Sequence, residues 1–135
     1  MYKNILVPVA PDHAKSADEA LAVARLLMAD GGKITALTVV EEIPGYIAGQ
    51  LPEGQMEKAR GEAEAALAAD FAGVPDVTPV VVDGHSARTI LDYAKDRGAD
   101  LIVIASHRPD ISDYFLGSTA ARVVRHAQCA VHVLR

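Results

Sequence analysis

The chain has 135 residues, half of them apolar and 23% charged, with a single cysteine. These figures predict one folded domain over 1–135 and exclude disorder, a disulfide framework and a low-complexity tract. The net charge of −5 excludes a generic nucleic-acid binder, although a few main-chain N–H groups can still hold an anion locally.

Ile5-Leu6-Val7-Pro8-Val9-Ala10 is a continuous apolar run, as expected of a strand buried on both faces, with Pro8 near its end. Ser16 and Glu19 form a capping box for a first helix. Ala20, Val23, Ala24, Leu27 and Met28 recur along that helix, and Gly31-Gly32 is expected to stop it. The β-branched run Ile34–Val40 predicts the second strand. From Glu41 to Gln55 the sequence carries Pro44, Gly45, Gly49, Pro52 and Gly54, a long loop of the kind that is usually functional or mobile. An Ala- and Glu-rich helix is expected from Met56 to Phe71, with Arg60 and Glu64 one turn apart on a solvated face.

Val80-Val81-Val82 predicts a third strand, after Pro79 and before Asp83-Gly84. Ser86 is expected to cap a helix that buries Ile90, Leu91 and Ala94 and stops at Gly98. Leu101–Ala105 is the fourth strand and Ala130–Leu134 the fifth. Between them a second irregular loop, Ser106–Leu116, leads into a helix opened by Gly117-Ser118 and ending near His126. Alternating strands and helices with apolar strands imply an α/β domain, a doubly wound parallel sheet with helices on both faces. No run approaches the ~18 apolar residues of a membrane span. With no leader-like opening and a lone cysteine, the expected location is the cytoplasm.

In such sheets ligands sit beyond the carboxyl ends of the strands, where the winding reverses. Gly117-Ser118-Thr119 at a helix start offers free N–H groups and two hydroxyls, which suits a phosphate; the alternative is that Ser118 or Thr119 caps the helix. Arg108 could grip phosphate through paired hydrogen bonds or stand in an exposed turn. Asp83, His85 and Ser86 lie together, but adjacent residues cannot supply triad geometry unaided, and no nucleophile elbow is present. His13, His85, His107, His126 and His132 occur singly, without metal-ligand spacing, so no metal site is expected. There is no P-loop and no Gly-x-Gly-x-x-Gly after the first strand. Cys129 is expected to be a buried, inert thiol. A ligand pocket is better supported than a reaction.

Three blocks carry a family resemblance: Lys3–Val9, Asp100–His107 and Leu116–Val131. Together they resemble the universal stress protein family along the whole chain, with Ala105–Asp110 similar to its F/G-type branch. The resemblance implies a five-stranded sheet ordered 3-2-1-4-5 of the adenine nucleotide alpha hydrolase-like kind. It also implies a homodimer and, in many members, bound ATP or AMP, with Mg²⁺ a possible companion. The family's pattern Gly-x2-Gly-x9-Gly-Ser/Thr is kept at Gly117 and Ser118. Its first two glycines are replaced by Ala105 and Arg108, and eight residues separate Arg108 from Gly117. An acidic residue that commonly meets the nucleoside is replaced by Ala10, with Asp12 nearby.

Carried over by position, Val9 and Ala10 border the base with Val40 beside it, and Pro8 is a further cofactor-binding residue. Ala105, Arg108, Gly117, Ser118 and Thr119 meet ribose and phosphates, and His107 is a further cofactor-binding residue. Three functions follow. The chain is a nucleotide-binding stress-response module with an unidentified regulatory protein partner, a dimeric scaffold that has lost the nucleotide, or a slow ATP-hydrolysing enzyme using Asp110 or Asp113. The first is favoured, with no catalytic residue assigned. The dimer is expected to form through the fifth strand, where Val131 and Val133 face one side and His132 and Leu134 the other.

Overall fold

The computed structural model describes residues 1–10, 17–41, 54–106 and 116–135. Its elements run β1 (Tyr2–Pro8), α1 (Ala17–Leu27), β2 (Met28–Glu41), α2 (Gln55–Asp70) and β3 (Val77–Gly84), then α3 (Ser86–Asp96), β4 (Leu101–Ala105), α4 (Ser118–His126) and β5 (Ala130–Leu134). The five strands form one sheet, ordered β3-β2-β1-β4-β5, and every pairing is parallel. Parallel strands need helical crossovers, which cover both faces and explain why the buried stretches Ile5–Val7 and Leu101–Ile104 carry no polar residue.

Strand alternation divides the core in two. Ile5, Val7 and Val9 of the first segment, with Ile34, Ala36, Leu101 and Val103, pack against Ala17, Ala20, Leu21 and Ala24 of α1 and Leu67 of α2. Leu6, Leu37, Val39, Ile102 and Ile104 point the other way, onto Ile90 and Ala94 of α3 and Ala120 and Val123 of α4. Each fully buried Ile, Leu or Val contributes about 1.5–3 kcal/mol, so a core nearly without aromatic residues is sufficient. The alanines of α1 and α4 let those helices lie close on the sheet. Only Leu67 of α2 is buried, so α2 is seated by its C-terminal end, with Phe71 just beyond it.

Several boundaries differ from the sequence expectation. β1 starts at Tyr2 and ends at Pro8, leaving Val9 and Ala10 beyond the strand. α1 stops at Leu27, not at Gly31-Gly32, because Met28 already belongs to β2 and pairs with Tyr2. The register then jumps, with Asn4 opposite Lys33, so Ala29–Gly32 bulges from the sheet. Gly31 has φ 78°, and a Cβ on Gly32 would lie 2.6 Å from Met28 Cγ. The glycine pair serves this bulge, not a helix stop. β3 is longer than Val80–Val82, and it tolerates Pro79 because it is an edge strand.

Ser86 does not cap α3. The N-cap is His85, and the Ser86 hydroxyl donates to Glu41 Oε1 at 2.9 Å, a charged acceptor at the end of β2. Nor do Ser118 or Thr119 cap α4, whose N-cap is Gly117. The capping Ser16 lies outside the described residues. Cys129 is half-buried, not buried, and its burial raises the thiol's pKa so that it stays protonated at neutral pH. β4 and β5 keep their expected limits, and Val131 and Val133 pack on the α3–α4 side while Leu134 packs on the other.

Candidate functional site

The winding reverses between β1 and β4, and there the strands separate. β1 pairs with β2 as far as Pro8↔Leu37, but with β4 only as far as Leu6↔Ile102. Pro8 supplies a reason. Val9 N–H donates to Leu37 O at 2.8 Å, so residue 9 faces β2 and residue 8, by alternation, faces β4. Proline has no N–H to offer on that side. The carboxyl ends of β1 and β4 are therefore unpaired, at the place where doubly wound sheets form their ligand crevice.

The residues around it are small and uncharged. Val9 is buried, Pro8 and Val40 are half-buried, and Ala10 and Ala105 are exposed. Gly117, the N-cap of α4, stands beside the end of β4: a Cβ built on it would lie 3.7 Å from Ser106 O. The first turn of α4 has main-chain N–H groups without intrahelical acceptors, at the positive end of the helix. Ser118 is exposed and Thr119 half-buried, and no side chain makes a cap hydrogen bond at the start of α4. Pro8, Val9, Ala10, Val40, Ala105, Gly117, Ser118 and Thr119 thus share one end of the sheet. His107, Arg108, Asp12, Asp110 and Asp113 lie outside the described residues.

Two residues that sequence reasoning missed complete this rim. Thr38 and Ser106 are the buried polar residues among those described, at 2% and 8% exposure. Thr38 Oγ1 donates to Val9 O at 3.1 Å. Ser106 donates to Leu134 O from its N–H at 2.8 Å and from Oγ at 3.4 Å. Their signal in the sequence is slight, a hydroxyl inside or just after an aliphatic strand. In a core this apolar a buried hydroxyl needs a partner, and both find a carbonyl where a strand leaves the ladder.

Charge lies to one side of the crevice. At the ends of β2 and β3, Glu41 is held by Ser86, and Asp83 by Arg60 at 3.1 Å. Arg60 also meets Glu64 at 3.1 Å, and these two carboxylates, Glu64 first, keep its guanidinium firmly protonated. Among the described residues no group of His, Cys, Asp and Glu could hold a metal ion. Nor is any described helix long and apolar enough to cross a membrane. Two cavities among the described residues lie elsewhere. One of about 410 Å³ is between α3 and α4 beside Cys129, and one of about 220 Å³ is between α2 and β3. Neither touches the crevice. Main-chain donors, hydroxyls and small side chains there suit a ligand with anionic or acceptor groups held close to the backbone.

Comparison with known proteins agrees with this fold. The model of the universal stress protein family matches residues 1–135. Universal stress protein G of Escherichia coli O157:H7 is 31% identical, with both chains covered fully. Universal stress protein UspA from Lactobacillus plantarum superposes with a TM-score of 0.68 at 28% identity, over 99% of this chain and 98% of that one. The universal stress protein from Archaeoglobus fulgidus, solved in complex with dAMP, shares the fold, with a TM-score of 0.59 at 20% identity over 99% and 98% of the two chains.

Proposed function

The chain belongs to the universal stress protein family, and from that premise we propose that it is a non-catalytic stress-response module that binds an adenine nucleotide, AMP or ATP, in the crevice between β1 and β4. The observation that carries this reading is the parting of β1 and β4 beyond Leu6↔Ile102, opposite the open N-terminus of α4. Pro8, Val9, Ala10 and Val40 border the base. Ala105, Gly117, Ser118 and Thr119 take the ribose and phosphates, with His107 and Arg108 as their side-chain partners. A dAMP-bound relative of the same fold supports the class of ligand. A half-buried, protonated thiol at Cys129 suits a reducing compartment, and the cytoplasm is the proposed location.

The module pairs with a second copy through β5. Leu134 C=O accepts from Ser106 on the β4 side, so by alternation Val131 and Val133 direct their main-chain groups to the free edge. Val133→Pro removes one outward donor and should convert a dimer to a monomer by light scattering. A parent that is already monomeric at micromolar concentration removes the dimer from the reading.

The ligand is tested by denaturing the purified protein, identifying released small molecules, and titrating AMP and ATP by calorimetry. Gly117→Ala sharpens the result. The backbone there has φ −55° and the added Cβ meets only an ordinary contact, so stability should fall by only about 0.5–1 kcal/mol, the difference between Gly and Ala at an N-cap. Nucleotide affinity should fall at least tenfold if a phosphate approaches the glycine closely. No released nucleotide and no calorimetric signal would instead favour a scaffold without ligand, the reading to which Ala10 and Ala105 lend weight.

A further inference from the structure

Thr38 is an expensive residue for its position. It sits in β2 at 2% exposure between Leu37 and Val39, where a valine of the same shape would bury no hydroxyl. Its Oγ1 donates to Val9 O, 3.1 Å away, one residue past the end of β1. Val9 N–H is held on the same side, by Leu37 O. Both polar groups of Val9 are therefore anchored toward β2.

The next peptide follows from covalent geometry. The chain has no cis peptide bond among the described residues, and in a planar trans peptide the N–H points opposite to the preceding C=O. With Val9 C=O held toward β2, the Ala10 N–H is turned toward β4, on the crevice side. Ala10 is exposed and its N–H donates to no described main-chain acceptor. We infer that Thr38 is a positioning residue of the crevice, and that it presents the Ala10 N–H as a fixed main-chain donor to an acceptor atom of the bound nucleotide. This rests on the nucleotide reading above and adds a feature to it. Among the described residues, the β1 side of the crevice offers its ligand a neutral backbone donor held by a buried hydroxyl and no polar side chain of its own. Adenine nucleotides carry suitable acceptors in their unprotonated ring nitrogens and ribose oxygens.

The competing role for Thr38 is to satisfy a stray carbonyl and nothing more. Both roles predict a loss of stability on Thr38→Val, so stability cannot separate them. Binding and the Ala10 amide can. The experiment titrates AMP into the ¹⁵N-labelled parent, Thr38→Val and Thr38→Ser, below the melting transition of each. In the parent the Ala10 amide resonance should shift with the same saturation curve as binding. Thr38→Val should weaken AMP three- to tenfold, and Thr38→Ser, which keeps the hydroxyl, should stay within twofold of the parent.

An Ala10 amide that does not move at saturating AMP overturns the inference while leaving nucleotide binding intact. A folded Thr38→Val that binds as tightly as the parent does the same. If Thr38→Val does not fold, the parent's Ala10 amide still decides. A parent that binds no AMP overturns the nucleotide reading, and this inference with it.

Discussion

β1 and β4 lie side by side in the middle of the sheet, yet their two ends are built on opposite plans. At the amino end they are locked. The Asp100 carboxylate accepts from Lys3 N–H at 2.9 Å and Asn4 N–H at 3.0 Å, Asp100 N–H donates to Asn4 O at 2.9 Å, and Asn4 Nδ2 donates to Arg97 O at 2.7 Å. At the carboxyl end the same strands are tied away from each other, β1 to β2 through Thr38 and β4 to β5 through Ser106. Closure at one end lets the other stay open without the sheet coming apart. Stability and ligand access are thereby assigned to different residues, and substitutions at the two ends should have separable effects.

The largest effect is expected where the closed part ends. Ile102 is fully buried, pairs with Leu6 and packs under α3 and α4. Ile102→Ala should cost about 2–5 kcal/mol in urea denaturation, through lost burial and the cavity left behind. A loss below 1 kcal/mol would mean that the helices close over the gap and that this layer is softer than its packing implies.

Asp100→Asn tests the lock itself. An amide can satisfy one of the two main-chain N–H groups but turns its own NH₂ on the other, for a loss of about 1.5–3 kcal/mol at neutral pH. Burial alone would raise the Asp100 pKa, but the bonds from Lys3 and Asn4 outweigh it and hold the group below its usual value. A carboxylate with a lowered folded pKa stabilises fully above its unfolded value, about 3.9, and loses that contribution as pH falls through the folded one. The gap between parent and Asp100→Asn should therefore be constant above about pH 5 and shrink below pH 4. A gap that widens in acid would contradict this account. AMP affinity should be the same in both proteins.

At the open end the expected pattern is reversed. Ser118→Ala should weaken AMP or ATP by about 0.5–1.5 kcal/mol, the net value of one hydrogen bond. Because Gly117 and not Ser118 is the N-cap, stability should change by less than about 0.5 kcal/mol. A variant with unaltered affinity would take Ser118 out of the site, and one with a lowered melting temperature would restore it as a cap.

The contrast between the ends was only half visible in the sequence. Short apolar runs, interrupted only by His132, mark β4 and β5 without ambiguity, and the order of elements dictates the parallel sheet. The 3-2-1-4-5 order came with the family resemblance, since periodicity does not say which strands are neighbours. Met28 shows why local patterns mislead. It continues the helical spacing of α1, but the backbone pairing with Tyr2 draws it into β2, a long-range effect that no window around residue 28 contains. Ser86 fails for a related reason, because Glu41, 45 residues away in sequence, is its acceptor. At the candidate site, the small residues were legible through a motif. Thr38 and Ser106 were not, because their partners are carbonyls, which every residue carries, and only the fold decides which carbonyl comes within reach.

The smallest effect is expected from a second fastening at the amino end, which sharpens the comparison by its weakness. Arg25, in the last turn of α1, meets Asp76, just before β3, with Nε–Oδ2 at 2.8 Å and Nη2–Oδ1 at 3.2 Å. The geometry is two-pronged, and the bond from Arg25 holds the Asp76 carboxyl below its usual pKa. Yet the side chains are 43% and 41% exposed, so water and salt screen most of the attraction, and ordering two mobile side chains offsets part of what remains. Asp100, by contrast, bonds main-chain groups that folding has already ordered. Arg25→Ala should therefore cost only about 0.2–1 kcal/mol, and the difference should disappear in 1 M NaCl, where the Debye length falls to about 3 Å. The Asp100→Asn difference should persist in the same salt. Denaturant melts of both variants at low and high NaCl make the comparison directly. Equal salt sensitivity at the two positions would show that the amino end is held by surface charge, not by the half-buried carboxylate–backbone lock.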